Sequence, residues 1–226
     1  MIHERPLEPL CRLVVLVLLG AGLAGCWGAR NLADLPPDQL YRQARIAVEK
    51  HRYERAKEII DRIRDDFPFS RYAAEAELLE ADMAFDQEKF EEAAAAYRSF
   101  EELHPTHPRV AYAVYRRGLA YAGMVEPPDR DQTATRNALE AFQKLLRAYP
   151  GSEFAADARA RVKELRTRLA EHEMYVARYY LRRKLYDAAL GRLQELIRSY
   201  PDTPLRDEAL ALALQIQSRK GSGRGD

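Results

Sequence analysis

The sequence predicts an all-α fold, a stack of repeated helical hairpins with four units and one terminal helix. Three observations carry this. Four prolines close similar dipeptides, Phe67-Pro68, His104-Pro105, Tyr149-Pro150 and Tyr200-Pro201. Twelve residues before each stands an alanine: Ala56, Ala93, Ala138, Ala189. Eight and five residues before each are large apolar positions: Ile60 and Ile63, Tyr97 and Phe100, Phe142 and Leu145, Leu193 and Leu196. Spacings of three and four residues mark one face of an α-helix, and proline ends it because it cannot continue the hydrogen-bond ladder.

Fifteen residues before the proline come Tyr53, Phe90 and Tyr186, with Thr135 as the exception. The pattern is that of the second helix of a tetratricopeptide unit. Its first helix needs a small residue where the two helices approach closely. Ala44, Ala81 and Ala177 stand there, and Gly118 takes that role in the third unit, displaced by an insertion. Successive prolines are 37, 45 and 51 residues apart, against a period of about 34. The excess in the third unit falls in the loop Val125 to Thr133. The excess in the fourth falls in Ser152 to Lys184, which lacks Gly and Pro and reads as one long helix or two abutting ones. The units are placed at about 37–69, 70–106, 107–151 and 152–202, so the solenoid spans 37–217. An amphipathic helix at 205–217 caps the stack, as such arrays require. Residues 218–226 are expected to be a disordered tail.

The N-terminus reads as an address. Arg5 and Arg12 precede the apolar run Leu13 to Leu19, and small residues follow, the order of a secretory signal. The apolar stretch is shorter than the roughly 20 residues that a spanning helix needs. It ends in Leu23-Ala24-Gly25-Cys26, which resembles the bacterial lipobox. The resemblance implies removal of 1–25, a diacylglyceryl thioether and N-acylation on Cys26, and a tether over 26–36. The other reading is an ordinary signal peptide with a chance cysteine. Two or more acyl chains anchor stably where one does not. Trp27 in place of Asp suggests delivery to the outer membrane. Cys11 leaves with the signal, so no disulfide is expected.

Composition excludes several functions. With 36 Lys and Arg against 35 Asp and Glu, the net charge of +1 offers no excess for nucleic acid. Two cysteines make neither a disulfide scaffold nor a zinc cluster, and no Gly-rich phosphate loop occurs. His104 and His107 bracket a turn and read as ordinary histidines with no carboxylate at ligand spacing. The acidic pairs Asp65-Asp66, Glu91-Glu92 and Glu101-Glu102 read as solvated faces. The chain is therefore expected to be no enzyme and to need no cofactor or metal. Repeats of this kind bind peptides and partner domains. The mapped period places Tyr41 and Arg45, then Leu78, Asp82 and Phe85, then Tyr112 and Tyr115 along a groove. These aromatics suit an extended peptide, or about half of them pack between helices instead.

A lipobox followed by such units resembles the BamD family, lipoproteins of the complex that assembles β-barrels in the outer membrane. The likeness covers nearly all of the mature chain. Its specific pieces are Tyr41 and Ala44 with Tyr53-Glu54-Arg55-Ala56; Pro108-Arg109 with Tyr112, Tyr115 and Arg117-Gly118; Asp129-Arg130-Asp131-Gln132 ahead of Ala138, Phe142 and Tyr149-Pro150; and Ala177 with Tyr179-Tyr180 and Tyr200-Pro201-Asp202-Thr203. The resemblance implies an outer-membrane location facing the periplasm. It further implies that the N-terminal units receive unfolded barrel precursors and that the C-terminal units dock on POTRA domains of the barrel-forming subunit. For that docking Tyr179, Tyr180, Arg183 and Arg192 are the expected residues. The sequence stops soon after the first helix of a fifth unit, which puts contacts with accessory lipoproteins in doubt. A second reading is a generic repeat lipoprotein of the envelope, acting in cell-wall coordination or as a secretin pilotin.

Overall fold

The computed structural model describes residues 35–222. The signal segment, Cys26 and the last four residues lie outside the described residues. Nine helices and no strand occur among the described residues: α1 (Pro37–Glu49), α2 (Tyr53–Asp66), α3 (Arg71–Asp86), α4 (Phe90–Leu103), α5 (Val110–Gly123), α6 (Thr133–Ala148), α7 (Ala155–Arg182), α8 (Tyr186–Ser199) and α9 (Arg206–Ser222). No described helix is long and apolar enough to cross a membrane.

Two compact units divide between Pro68 and Phe69. The first is one hairpin, in which Leu40, Ala44, Ala47 and Val48 of α1 and Ala56, Ile59, Ile60 and Ile63 of α2 are buried. The second contains α3 to α9, each packed on its sequence neighbour. Ala56, Ala93, Ala138 and Ala189 are all without solvent exposure, as are Ile60, Tyr97, Phe142 and Leu193. Methyl-sized side chains at these crossings let the backbones come close, and the large residues one turn later fill the space between.

The repeated dipeptides have a common backbone cause. Phe67, His104, Tyr149 and Tyr200 share φ between −126 and −136° and ψ between 49 and 56°. Each N–H still donates to the carbonyl four residues back. The proline that follows bars the helical region for the residue before it, so all four helices end at one geometry. The turns inside three of the hairpins are also alike. His51, Glu88 and Lys184 are left-handed, with φ of 54, 59 and 60°. In each case the next N–H reaches five residues back, from Arg52 to Ala47, Lys89 to Ala84 and Leu185 to Tyr180. This is a Schellman-type helix end, here built without glycine.

The third hairpin departs from this turn because the insertion follows α5. Gln132, 2% exposed, donates through its side-chain amide to the carbonyls of Pro127 (2.9 Å) and Arg130 (3.2 Å) and accepts from Thr135 (2.9 Å). Thr135 thus takes the aromatic position in order to hold the loop. His172 of α7 donates from Nδ1 to the Pro128 carbonyl at 2.7 Å. A carbonyl only accepts, so the proton sits on Nδ1.

The stretch 152–184 holds a single helix of 28 residues, α7, about 42 Å long at 1.5 Å per residue. Its first half packs with α5 and α6 through Ala158 and Leu165; its second half packs with α8 and α9 through Ala170, Met174 and Ala177. The last helix runs to Ser222, so residues 218–222 are helical where the sequence suggested a tail.

Candidate functional site

In the second unit, four of the expected groove residues gather on α3 and α5. Asp82 is the centre. Its Oδ1 accepts from the hydroxyls of Tyr97 (2.6 Å) and Tyr112 (2.8 Å). Arg116 donates from Nε to the Tyr97 oxygen at 3.0 Å and lies 3.6 Å from the Asp82 carboxylate. Its guanidinium also covers the ring of Phe85, 3.9 Å from the centroid. Arg109 approaches Asp82 at 3.9 Å, pairs with Glu75 at 2.9 Å and lies over the ring of Tyr112. Burial pushes the Asp82 carboxyl above its ordinary range, although both phenols and both guanidiniums favour its charge. Burial also raises Tyr97 and Tyr112, and the negative charge of Asp82 adds to this, so both phenols stay protonated.

A row of rings continues from this network. Tyr112 meets Phe154 at 5.9 Å, and Phe154 stacks on Tyr115 at 4.7 Å with 14° between the planes. The Tyr115 hydroxyl donates to Asp157 at 2.7 Å, and Arg161 donates to the same oxygen at 2.5 Å. Burial works against the Asp157 charge, but these two bonds hold its carboxyl below the ordinary range. Cations over ring faces and hydroxyls fixed on carboxylates leave a half-buried surface whose rings have set orientations.

Leu78 does not belong to this surface. It has no exposure and lies in the core with Ala81, Ala93 and Tyr97. α3 is flanked so closely that its buried positions spread over much of its circumference. Tyr41 and Arg45 lie in the first unit; Tyr41 is half-buried and Arg45 is exposed, 3.5 Å from Glu49. Sequence reading missed Arg116, Tyr97 as a polar member, and Phe154.

The acidic pair Glu101-Glu102 also needs correction. Glu101 is 7% exposed and contacts Arg117, itself 7% exposed, at 3.3 Å, while Lys144 reaches its other oxygen. The three side chains join α4, α5 and α6. His104 and His107 likewise have carboxylate neighbours. His104 Nε2 donates to Glu77 at 2.8 Å, and His107 accepts the Arg109 N–H on Nδ1 with Nε2 3.7 Å from Glu75.

Farther along, Tyr179 is 39% exposed beneath the guanidinium of Arg183, 4.8 Å from its ring centroid. Tyr180 is half-buried against the core of α7 to α9. Arg192 is exposed and lies 3.3 Å from Glu173. Tyr179 and Arg183 therefore stand together, Tyr180 turns inward, and Arg192 is tied to α7.

These features define an all-helical hairpin-repeat scaffold whose polar groups are largely satisfied by one another. Residues 33–224 match the model of the YfiO family, described as an outer membrane lipoprotein, and the chain belongs to that family. It is 34% identical to the outer membrane protein assembly factor BamD of Neisseria meningitidis serogroup A over 218 residues, 89% of this chain and 82% of that protein. It is 32% identical to the protein of the same name from Vibrio cholerae, over 88% of this chain and 87% of that one. The Rickettsia prowazekii protein of that name is 30% identical over 88% and 80%.

Proposed function

We propose that this chain is a non-enzymatic lipoprotein, anchored in the outer membrane through acylated Cys26 and facing the periplasm, that receives unfolded β-barrel precursors and docks on the barrel-forming subunit of the assembly complex. Family membership supports the assembly role. The observation that carries the receiving role is the row Phe85, Tyr112, Phe154 and Tyr115, in which each ring is held by a cation, a carboxylate or another ring. Fixed rings bind an extended chain without the cost of ordering them first. The non-enzymatic reading is supported by the relatives, which are named assembly factors. Docking is assigned to Tyr179 and Arg183, residue types that dominate interface energies, with Arg192 and Tyr180 beside them.

The test is binding of a peptide from an aromatic-rich terminal strand of an outer-membrane barrel. Replacing Phe85, Tyr112 and Tyr115 together by alanine weakens it if the rings receive the chain; equal binding of a scrambled peptide without aromatics refutes the reading. Reversing Arg183 and Arg192 to Glu releases the barrel-forming subunit on co-purification. Cys26→Ala abolishes incorporation of labelled fatty acid. The reading as a cell-wall or pilotin lipoprotein is not favoured, since the relatives are named assembly factors.

A further inference from the structure

The two stretches that break the repeat period, the insertion after α5 and the lengthened α7, line one pocket. Its floor is Ala122, Val125 of the insertion, Phe142 and Leu165. Its mouth carries Arg161 and Arg168, two turns apart on α7. Glu164 stands at the same mouth. A regular array of equal hairpins would supply neither Val125 nor this part of α7.

The walls are fixed before anything enters. The ring of Phe142 packs against Gly118, where a β-carbon would come within 2.7 Å of it. Val125 donates its N–H to the Ala122 carbonyl at 3.3 Å. The rest of the insertion is held by Gln132 and His172. The pocket has a volume of about 160 Å³, close to the apolar cavity of roughly 150 Å³ that accepts one benzene ring. It has room for one side chain of Leu or Phe size, set between the apolar residues and the charged side chains of Arg161, Glu164 and Arg168, which supply most of its exposed lining.

The mouth selects charge. Arg161 is engaged by Asp157 at 2.5 Å. Arg168 pairs with Glu164 on its own helix at 3.6 Å, with both side chains well exposed, an arrangement that holds a guanidinium weakly. Leu165 and Arg168 are one turn apart, roughly 5–6 Å between β-carbons. In an extended chain, residues two apart share a face and are about 6.6 Å apart. The pocket also adjoins the row of rings, since Tyr115 lies 5.9 Å from Phe142 and shares Asp157 with Arg161.

We propose that this pocket anchors one Leu- or Phe-sized side chain of an extended polypeptide, with an Asp or Glu two positions along meeting Arg168. The inference rests on the reading of the rings as a receiving surface and adds which residues of the incoming chain are gripped.

The test uses the full lipoprotein in detergent and a fluorescein-labelled Ser/Thr nonapeptide with Phe at its centre and Asp two positions on, read by fluorescence anisotropy. Phe→Ser in the peptide and Val125→Trp in the protein, which fills the pocket, each weaken binding about tenfold or more, the range for one lost apolar contact in a fitted pocket. Arg168→Glu weakens the Asp peptide and restores the same peptide with Lys in place of Asp, a swap that a misfolded variant would not give. No binding of the parent peptide, or equal binding after Phe→Ser or in helical Val125→Trp, overturns the proposal. Phe85→Ala without effect, alongside loss in Val125→Trp, refutes the ring surface and leaves the pocket standing.

Discussion

The ring of Phe142 occupies the space where a β-carbon on residue 118 would stand, with Cε1 2.7 Å from that position. α5 and α6 can cross here only because residue 118 is glycine. Phe142 is fully buried in the core that α5, α6 and the first half of α7 share, so it can give way only by disturbing that packing. Gly118→Ala gains up to about 1 kcal/mol of helix propensity and loses about 1–3 kcal/mol to overpacking. A net loss is expected in urea-induced unfolding. A variant as stable as the parent would mean that the crossing relaxes freely.

Glu101 and Arg117 are a buried pair that depends on both partners. Removing one leaves a charge with little water around it, and Glu101→Ala should cost about 3–5 kcal/mol. Burial and the nearby Arg98 already hold Arg117 below its ordinary range, which marks a guanidinium short of compensation. Replacing both, as Glu101→Leu with Arg117→Met, should recover more than half of the loss. Thermal unfolding of the two single variants and the double variant decides this.

Glu88 and Lys184 adopt a left-handed conformation that costs an ordinary residue about 1–2 kcal/mol. Glycine removes that cost but adds about 0.5–1 kcal/mol of unfolded-chain entropy. Glu88→Gly and Lys184→Gly should therefore raise the melting temperature slightly, whereas Glu88→Val should lower it. Calorimetry separates the signs.

Asp82 and Asp202 should respond to pH in opposite directions. Burial raises Asp82 from its ordinary value of 3.8. Its contribution to stability is full below that value and declines as pH rises through the raised one, because the folded state binds the proton more tightly. The hydrogen bonds from Arg166 hold Asp202 below its ordinary range. Its contribution is present above that range and is lost as pH falls through the lowered value. Unfolding free energies of the parent minus Asp82→Asn should decrease as pH rises above the ordinary value of 3.8, and those minus Asp202→Asn should increase as pH rises from the acid side.

How much was legible depends on the range of the interaction. Helix-ending prolines and crossing alanines are local signals, and Ala56, Ala93, Ala138 and Ala189 are all fully buried at the expected crossings. Glu101 was misread because its partners Arg117 and Lys144 lie 16 and 43 residues away, beyond any spacing of three or four. Arg116 and Arg117 look like one basic dipeptide. A helix turns about 100° per residue, so one reaches Asp82 on one side and the other reaches Glu101 on another. Leu78 was drawn onto the groove by a constant period, but α3 buries residues around much of its circumference and Leu78 is one of them, whereas Glu75 and Asp82, seven residues apart, mark the row that meets Arg109.

The single rod of α7 has a consequence for how the molecule melts. In an array of separate hairpins, each neighbouring pair opens almost independently. Here one continuous helix contributes Leu165 to one core and Met174 to the next, and Arg166 near its middle grips Asp202 and the Ser199 carbonyl. Breaking its hydrogen bonds between these points strands both halves, so α6 to α9 should exchange their amide protons as one cooperative block rather than fray repeat by repeat.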